Sequence, residues 1–263
     1  MPITFKRAGQ EAVTLENVSF KGVALDKVTF KRAGQEAVTV FEKAAMPVKG
    51  DIITLDSKQY RVLKTEGTVA EVLCMYDANS SIKFDSTSGY KNTYDGRTID
   101  TYCNNTFYSG LSAAMKSAIV DKTFTQDSWA RRDDSVPAGS HYTGKYGSST
   151  YYLTLVSAAY GSSITRHCYC LSVQDVLDYL EATTSMGTSD TTLTDTNIWT
   201  MFWNATTSQS GKYIWLRSAY SSDSYYAFCI RGDYGILALN GVDVISAARP
   251  AFQIDLSKIA WSK

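Results

Sequence analysis

Residues 215–252 set two apolar ends, Trp215-Leu216-Arg217-Ser218 and Arg249-Pro250-Ala251-Phe252, around an interior dominated by Tyr, Ser, Asp and Gly. Such a stretch constrains the fold strongly. Its ends have the residue types of a buried frame, whereas its interior offers little to a core and must be carried on a scaffold built elsewhere. Tyr brings a large amphipathic contact area with only two torsions to immobilise, and Ser, Gly and Asp supply adaptable hydrogen bonds, the mixture that binding loops favour. The pattern points to recognition rather than catalysis.

The totals narrow the setting. A chain of 263 residues holds one large domain, or a large domain with a small appendage. Hydrophobic residues make up 44% and charged residues 20%, enough for a substantial core, and the 18 Tyr are concentrated in the second half. Lys plus Arg and Asp plus Glu number 26 each, so no net field favours a polyanion and nucleic acid is not an expected partner. No apolar run approaches the roughly 18 residues needed to span a bilayer, so membrane insertion is not expected. The first residues, Met1-Pro2-Ile3-Thr4-Phe5-Lys6-Arg7, lack the apolar stretch of a secretory signal peptide. They predict cytoplasmic assembly, with a virion-tail or extracellular working life reached by release from the cell. Cys74, Cys103, Cys168, Cys170 and Cys229 follow no disulfide framework and are read as buried free thiols.

The first 45 residues repeat. Residues 4–14 (TFKRAGQEAVT) recur identically at 29–39, and 19–22 echo 29–32. Alternation there predicts short strands joined by turns at Gly9, Gly22 and Gly34. A unit with so little apolar surface does not stand alone, so residues 1–47 are expected to serve attachment to a tail assembly or homo-oligomerisation, with a duplicated flexible leader as the alternative. Pro47-Val48-Lys49-Gly50-Asp51 marks the boundary to a domain over 48–263. Strands are expected at 52–55, 59–64 and 69–75 as an opening antiparallel meander, and again at 151–157, 213–217, 227–231 and 251–256. Helical spacing begins near Ser109, and a second helix is expected over 172–181, where Ser172 caps and Asp175 stands at the third position. Residues 80–96, 128–149 and 183–211 read as long polar loops. The sum is an α+β fold with segregated helices.

Four segments resemble a family of gut-bacterial and phage domains related to C-type-lectin-like folds. They are Gly50–Leu55 with Tyr60–Leu63, Thr98–Tyr108, Cys170–Tyr179, and Ile214–Ser218 with Ala248–Phe252. In that family Trp-Leu-Arg-Ser and Gly-Val-Arg-Pro-Ala bracket the last hairpins of the domain; here Ala247-Ala248 stand in place of Gly-Val. The resemblance covers about residues 48–260 and implies a C-type-lectin-like domain. The bracketed interior also resembles the variable region of proteins diversified by retroelements, where the adenines of Asn codons in a template are randomised. Randomised AAC or AAT codons cannot yield Lys, Glu, Gln, Met or Trp. Those five types account for 41 residues of the chain, yet none lies between Tyr220 and Ala248, where about four or five would be expected from composition.

The resemblance therefore implies a hypervariable ligand-binding surface at 220–248. The candidate contact positions are Tyr220, Ser222, Asp223, Tyr225, Tyr226, Cys229, Arg231, Asp233, Tyr234, Ile236, Ala238, Leu239, Asn240, Asp243 and Ile245, of which Ile236, Leu239 and Ile245 equally suit a hairpin core. Trp215, Leu216, Arg217, Ile230, Arg249, Pro250 and Phe252 are read as frame. The expected partner is a protein or glycan on a bacterial cell surface, bound by a phage tail protein or bacterial surface protein without enzymatic activity. A lectin-like module with a fixed glycan site is one alternative; an enzyme of the formylglycine-generating type is another, although the reactive cysteines it needs do not map here.

Other constellations read as structural. His167-Cys168-Tyr169-Cys170 has zinc-ligand types but no second ligand pair, so the thiols are expected in the core and no metal or cofactor is called for. Only His141 and His167 are present, and no Gly-x-Ser-x-Gly elbow accompanies the many serines. Arg131-Arg132-Asp133-Asp134 reads as a solvated surface. Trp203-Asn204-Ala205 lacks the closing acid of the C-type-lectin calcium motif, and Arg231-Gly232-Asp233 is a short integrin-type tripeptide of the kind that arises by chance.

Overall fold

The chain divides into two compact units, Met1–Met46 and Pro47–Lys263. The computed structural model describes residues 45–184 and 193–263 throughout and, before them, the backbone of six short strands. In the first unit the sequence repeat is a structural repeat. Ile3–Phe5 pairs antiparallel with Val13–Leu15, and Lys27–Phe30 with Val38–Glu42, with Thr4 opposite Thr14 in one copy and Thr29 opposite Thr39 in the other. Ser19–Phe20 pairs with Val23–Ala24 between them. The turns expected at Gly9, Gly22 and Gly34 lie outside the described residues, as do residues 185–192 of the third long loop.

The second unit is α+β, built mainly from two sheets. The smaller has five antiparallel strands in the order Ile119–Val120, Ala251–Asp255, Val69–Cys74, Lys58–Glu66, Ile52–Leu55, the last three forming the opening meander. The larger is mixed and runs Asn79–Lys83, Ile245–Ala248, Tyr213–Tyr220, Ser128–Arg132, Ser149–Ser157, Tyr142–Tyr146, Leu193–Thr194. Tyr226–Arg231 branches from Tyr213–Tyr220, and Ile236–Gly241 pairs with Tyr226–Arg231 in turn. The Arg249-Pro250 corner carries the chain from Ile245–Ala248 in one sheet to Ala251–Asp255 in the other.

Helices are shorter and more numerous than the spacing predicted. Helical winding starts at Thr98, not Ser109: Thr98–Thr101 runs into a π-helical turn at Tyr102–Phe107, and Ala113–Ala118 follows behind a Ser112 cap. Val173–Tyr179 begins with the expected capping box, the Ser172 hydroxyl accepting from the Asp175 amide at 3.0 Å and the Asp175 carboxylate accepting from the Ser172 amide at 2.8 Å. Asp195–Trp203, inside a segment read as loop, is also helical. Likewise 128–149 is no loop, since Ser128–Arg132 and Tyr142–Tyr146 are sheet strands. Their polar residues mislead because Ser128 and Thr143 are buried in the strands, where alternation would place apolar residues.

The frame residues are buried and bonded. Trp215 donates its indole N–H to the Ile82 carbonyl at 2.9 Å and meets Phe84 edge-on. Arg217 bonds the Cys170 carbonyl at 2.7 Å and the Asp175 carboxylate at 2.6 Å, with its guanidinium 4.3 Å from the Phe124 ring centroid. Arg249 pairs with Asp77 at 2.7 Å and bonds the Phe202 carbonyl. Burial of two arginines requires such carboxylate partners, because an unpaired buried charge is strongly destabilising; of the two guanidinium groups, only the Arg217 Nε is buried without a hydrogen bond. All five cysteines are free and buried.

Candidate ligand-binding surface

Strand Tyr226–Arg231 divides the sequence-predicted positions in two. At about 3.4 Å per residue its ends lie roughly 17 Å apart, and the following strand, Ile236–Gly241, runs back alongside it. One group of candidates therefore gathers at a tip near Tyr226, and another around a cleft near Arg231.

The tip is a chain of tyrosines. Tyr225 and Tyr226 lie 5.0 Å apart between ring centroids, Tyr220 and Tyr226 6.4 Å, each nearly perpendicular. The Tyr225 hydroxyl donates to Asp243 at 2.6 Å, a bond that holds its phenol up to about 12. Asp223 accepts from the Tyr225 amide at 2.9 Å, and Ser222 is exposed beside it. The structure adds Tyr90, from a segment read as loop, whose ring meets Tyr225 at 5.9 Å and is 41% exposed. Its loop is organised by buried Asp85, which accepts from the Thr87 and Lys91 amides. Burial alone would raise the Asp85 pKa, but these bonds and Arg97 hold it below the usual carboxylate range.

The decisive residue at the tip is Asn92, fully buried and outside the variable stretch. Its amide nitrogen donates to the carbonyls of Tyr220, Asp223 and Tyr226 at 2.9, 3.2 and 2.8 Å. The scaffold thus grips the tip through backbone atoms, a contact indifferent to the side chains displayed there. The opposite turn is held in the same way. The Gly232 carbonyl accepts from the Trp199 indole and the Gln209 amide, each at 2.7 Å, and the Gly232 amide donates to Lys212.

The second group lines a cleft of about 600 Å³, bounded by Arg131, Asp133, Tyr146, Ser149, Arg231, Tyr234, Ile236, Ala238 and Leu239. Arg231 pairs with Asp233 at 2.8 Å and lies 4.4 Å from the Tyr234 ring centroid, so the Arg-Gly-Asp tripeptide closes on itself. Arg131 is a correction: it is not solvated surface, since it pairs with Asp133 at 2.7 Å, bonds the Leu237 carbonyl and lies 4.5 Å from the Tyr151 ring centroid.

Three further positions need correcting. Cys229 is fully buried in the core, where burial pushes its thiol up to about 12, so its side chain is not on the displayed surface. Ile236 and Ala238 are buried and serve as cleft floor, not as projecting contacts. Asn240 and Ile245 are not among these: Asn240 is half-buried and bonds the Ser246 hydroxyl at 3.2 Å, and Ile245, 56% exposed, pairs with Lys83 on the neighbouring strand.

No cluster of three or more His, Cys, Asp or Glu among the described residues is arranged to hold a metal ion. No helix among them is long and apolar enough to cross a membrane. The sequence matches the family described as Domain of unknown function (DUF6273) over residues 68–256, and the chain belongs to that family. No curated protein and no solved structure matches it.

Proposed function

We propose that this member of the DUF6273 family is a non-enzymatic receptor-binding protein whose C-type-lectin-like domain displays a diversified surface at 220–248. A phage tail or a bacterial surface would use it to bind a protein or glycan on a cell. The observation that carries the reading is the Asn92 clamp, in which one buried amide holds three backbone carbonyls of the Tyr-rich turn. Side chains freed from structural duty can change at little cost to folding. The missing residue types between Tyr220 and Ala248 agree with randomised Asn codons, and residues 1–47 would tether the domain to an assembly.

Capture of the chain on bacterial cell-surface fractions tests this. Tyr225→Ala with Tyr226→Ala is expected to weaken capture at least thirtyfold, since aromatic anchors contribute about 2 kcal/mol or more, while the exposed Tyr226→Ala alone leaves the melting temperature nearly unchanged. Undiminished capture, or a turnover abolished by Cys→Ser changes, would refute the proposal. A near-copy of the 220–252 codons, with Asn codons at variable positions and a reverse transcriptase nearby, would support diversification, and its absence would leave a fixed surface.

A further inference from the structure

The cleft beside Tyr234 has a chemistry distinct from the tip. Its two arginines are each locked to a carboxylate two residues on: Arg131 to Asp133 at 2.7 and 3.1 Å, and Arg231 to Asp233 at 2.8 and 2.9 Å. The site is therefore rich in fixed donors and acceptors yet close to neutral. Each guanidinium already has its carboxylate and each carboxylate its guanidinium, so an ionic ligand meets a nearly neutral site and gains little net Coulomb attraction there. A neutral hydroxyl can accept from a guanidinium and donate to a carboxylate at once, leaving both pairs intact.

The floor and walls select further. Ile236, Ala238 and Leu239 form an apolar base, and the Tyr146 and Tyr234 rings stand 5.5 Å apart beside it. These surfaces suit a body with an apolar C–H face and a polar rim. A peptide strand is disfavoured, because the free edge of Ile236–Gly241 is already occupied at Leu237. The Leu237 amide donates to the Tyr151 hydroxyl at 3.5 Å, and its carbonyl accepts from Arg131. At about 600 Å³ the cleft also falls in the range of small-molecule sites.

We propose that this cleft is a saccharide subsite that takes a neutral hexopyranose unit. The inference rests on the binding reading above and names its ligand class. The site is composite: Arg231, Tyr234, Ile236, Ala238 and Leu239 come from the variable stretch, whereas Arg131, Asp133, Tyr146 and Ser149 do not. The constant wall fixes the ligand class, and the variable wall fixes which sugar is preferred.

Saturation-transfer NMR on the full chain with maltose, lactose and cellobiose, and with sialyllactose as the anionic comparison, tests it. At least one neutral disaccharide should receive saturation at its ring protons, with a Kd on the order of 1 mM. Ser149→Trp, which fills the cleft from its constant side, should abolish the signal. Tyr234→Ala should weaken it at least tenfold, and being an exposed site it keeps the test valid if the Trp variant melts early. Transfer to sialyllactose alone, transfer surviving both variants, or no transfer to any neutral sugar would overturn the inference. If sugars fail while cell-surface capture still depends on Tyr225 and Tyr226, the cleft assignment falls and the receptor-binding reading stands. If sugars bind but capture does not depend on that pair, the reverse holds.

Discussion

Asn92→Ala removes the contact on which the display depends. The Asn92 side chain has two N–H donors and meets three carbonyls at 2.8–3.2 Å, so one donor is shared and the loss amounts to about two good hydrogen bonds. Each such bond contributes about 1 kcal/mol net, and a buried carbonyl left without a partner costs about 1–3 kcal/mol. Because water can reach part of the turn once the side chain is truncated, the lower half of that range applies, giving a total of about 2–3 kcal/mol. A unit of this size loses about 2–4 °C in melting temperature per kcal/mol, so a fall of roughly 5–10 °C is expected by calorimetry.

The informative comparison is with the displayed side chains. Ser222→Ala and Tyr226→Ala alter exposed groups and should change stability by about 0.5 kcal/mol or less. Asn92→Asp adds a sign test. A carboxyl facing three carbonyls must be protonated to donate, so its folded pKa is raised above the usual carboxylate range. The variant should then be less destabilised near pH 4 than at pH 7, its deficit growing as pH rises through that folded value. Hydrogen exchange at the Ser221 and Tyr226 amides should quicken in both Asn92 variants. The reasoning fails if Asn92→Ala melts with the parent, or if changing Ser222 and Tyr226 costs as much as changing Asn92.

Three other outcomes are expected. Asp175 is pushed up by burial, but Arg217 at 2.6 Å and Lys122 at 3.6 Å overcome this and hold it well below the usual carboxylate range. Its stabilisation is then complete above pH of about 4 and lost as pH falls toward the depressed value. Asp175→Asn should cost about 3 kcal/mol or more at neutral pH, and denaturation curves of parent and variant should converge in acid; a constant gap would refute the pairing. Gly235 has φ +58°, and a Cβ there would lie 2.6 Å from the Asp195 carbonyl oxygen, whereas Gly67, at φ +61°, faces open space. Gly67→Ala should therefore cost about 1 kcal/mol and Gly235→Ala clearly more, equal melting shifts counting against the close approach. Burial holds the Cys74 and Cys229 thiols up to about 12 and raises Cys103 and Cys168 as well. The folded chain should react with no aromatic disulfide reagent at neutral pH and the denatured chain at all five cysteines; rapid labelling of the folded form would show the core to be open.

Much of the scaffold was legible because it rests on local chemistry. Ile52–Leu55 is a short run rich in β-branched residues opened by the turn at Gly50, Ser172 and Asp175 cap by sequence spacing alone, and the paired frame around 215–252 announces its burial by residue type. The site was only half legible. Tyr226–Arg231 is covered on both faces over Ala227–Ile230, so alternation could not separate Cys229 from displayed neighbours. Asn92, Tyr90 and Arg131 act through partners that are remote in sequence, Asn92 on carbonyls about 130 residues away, and no periodicity encodes such a contact. The one available signal was the density of Asp, Asn and Tyr within 85–94, which reads as an ordered loop once its hydrogen bonds are counted.

These constraints also limit what may vary. Between Tyr220 and Ala248 the core claims Ala227, Phe228, Cys229, Ile230, Leu237 and Val242, and Gly235 is fixed by the approach of Asp195. Randomised Asn codons can encode Ala, Phe, Cys, Ile, Leu, Val and Gly, so composition alone does not separate the fixed positions from the variable ones. Structure does. If diversification operates, its Asn codons should fall at Ser222, Asp223, Tyr225, Tyr226, Arg231, Tyr234, Leu239 and Asp243, whose side chains project at the tip or cleft. They should spare the six core positions, where a change to Asp or Asn would bury an unpaired polar group at about 1–3 kcal/mol or more. A template with Asn codons at Phe228 or Leu237 would mean that the sheet, and not only its margin, is rebuilt in each variant, and the backbone-clamp account would then fail.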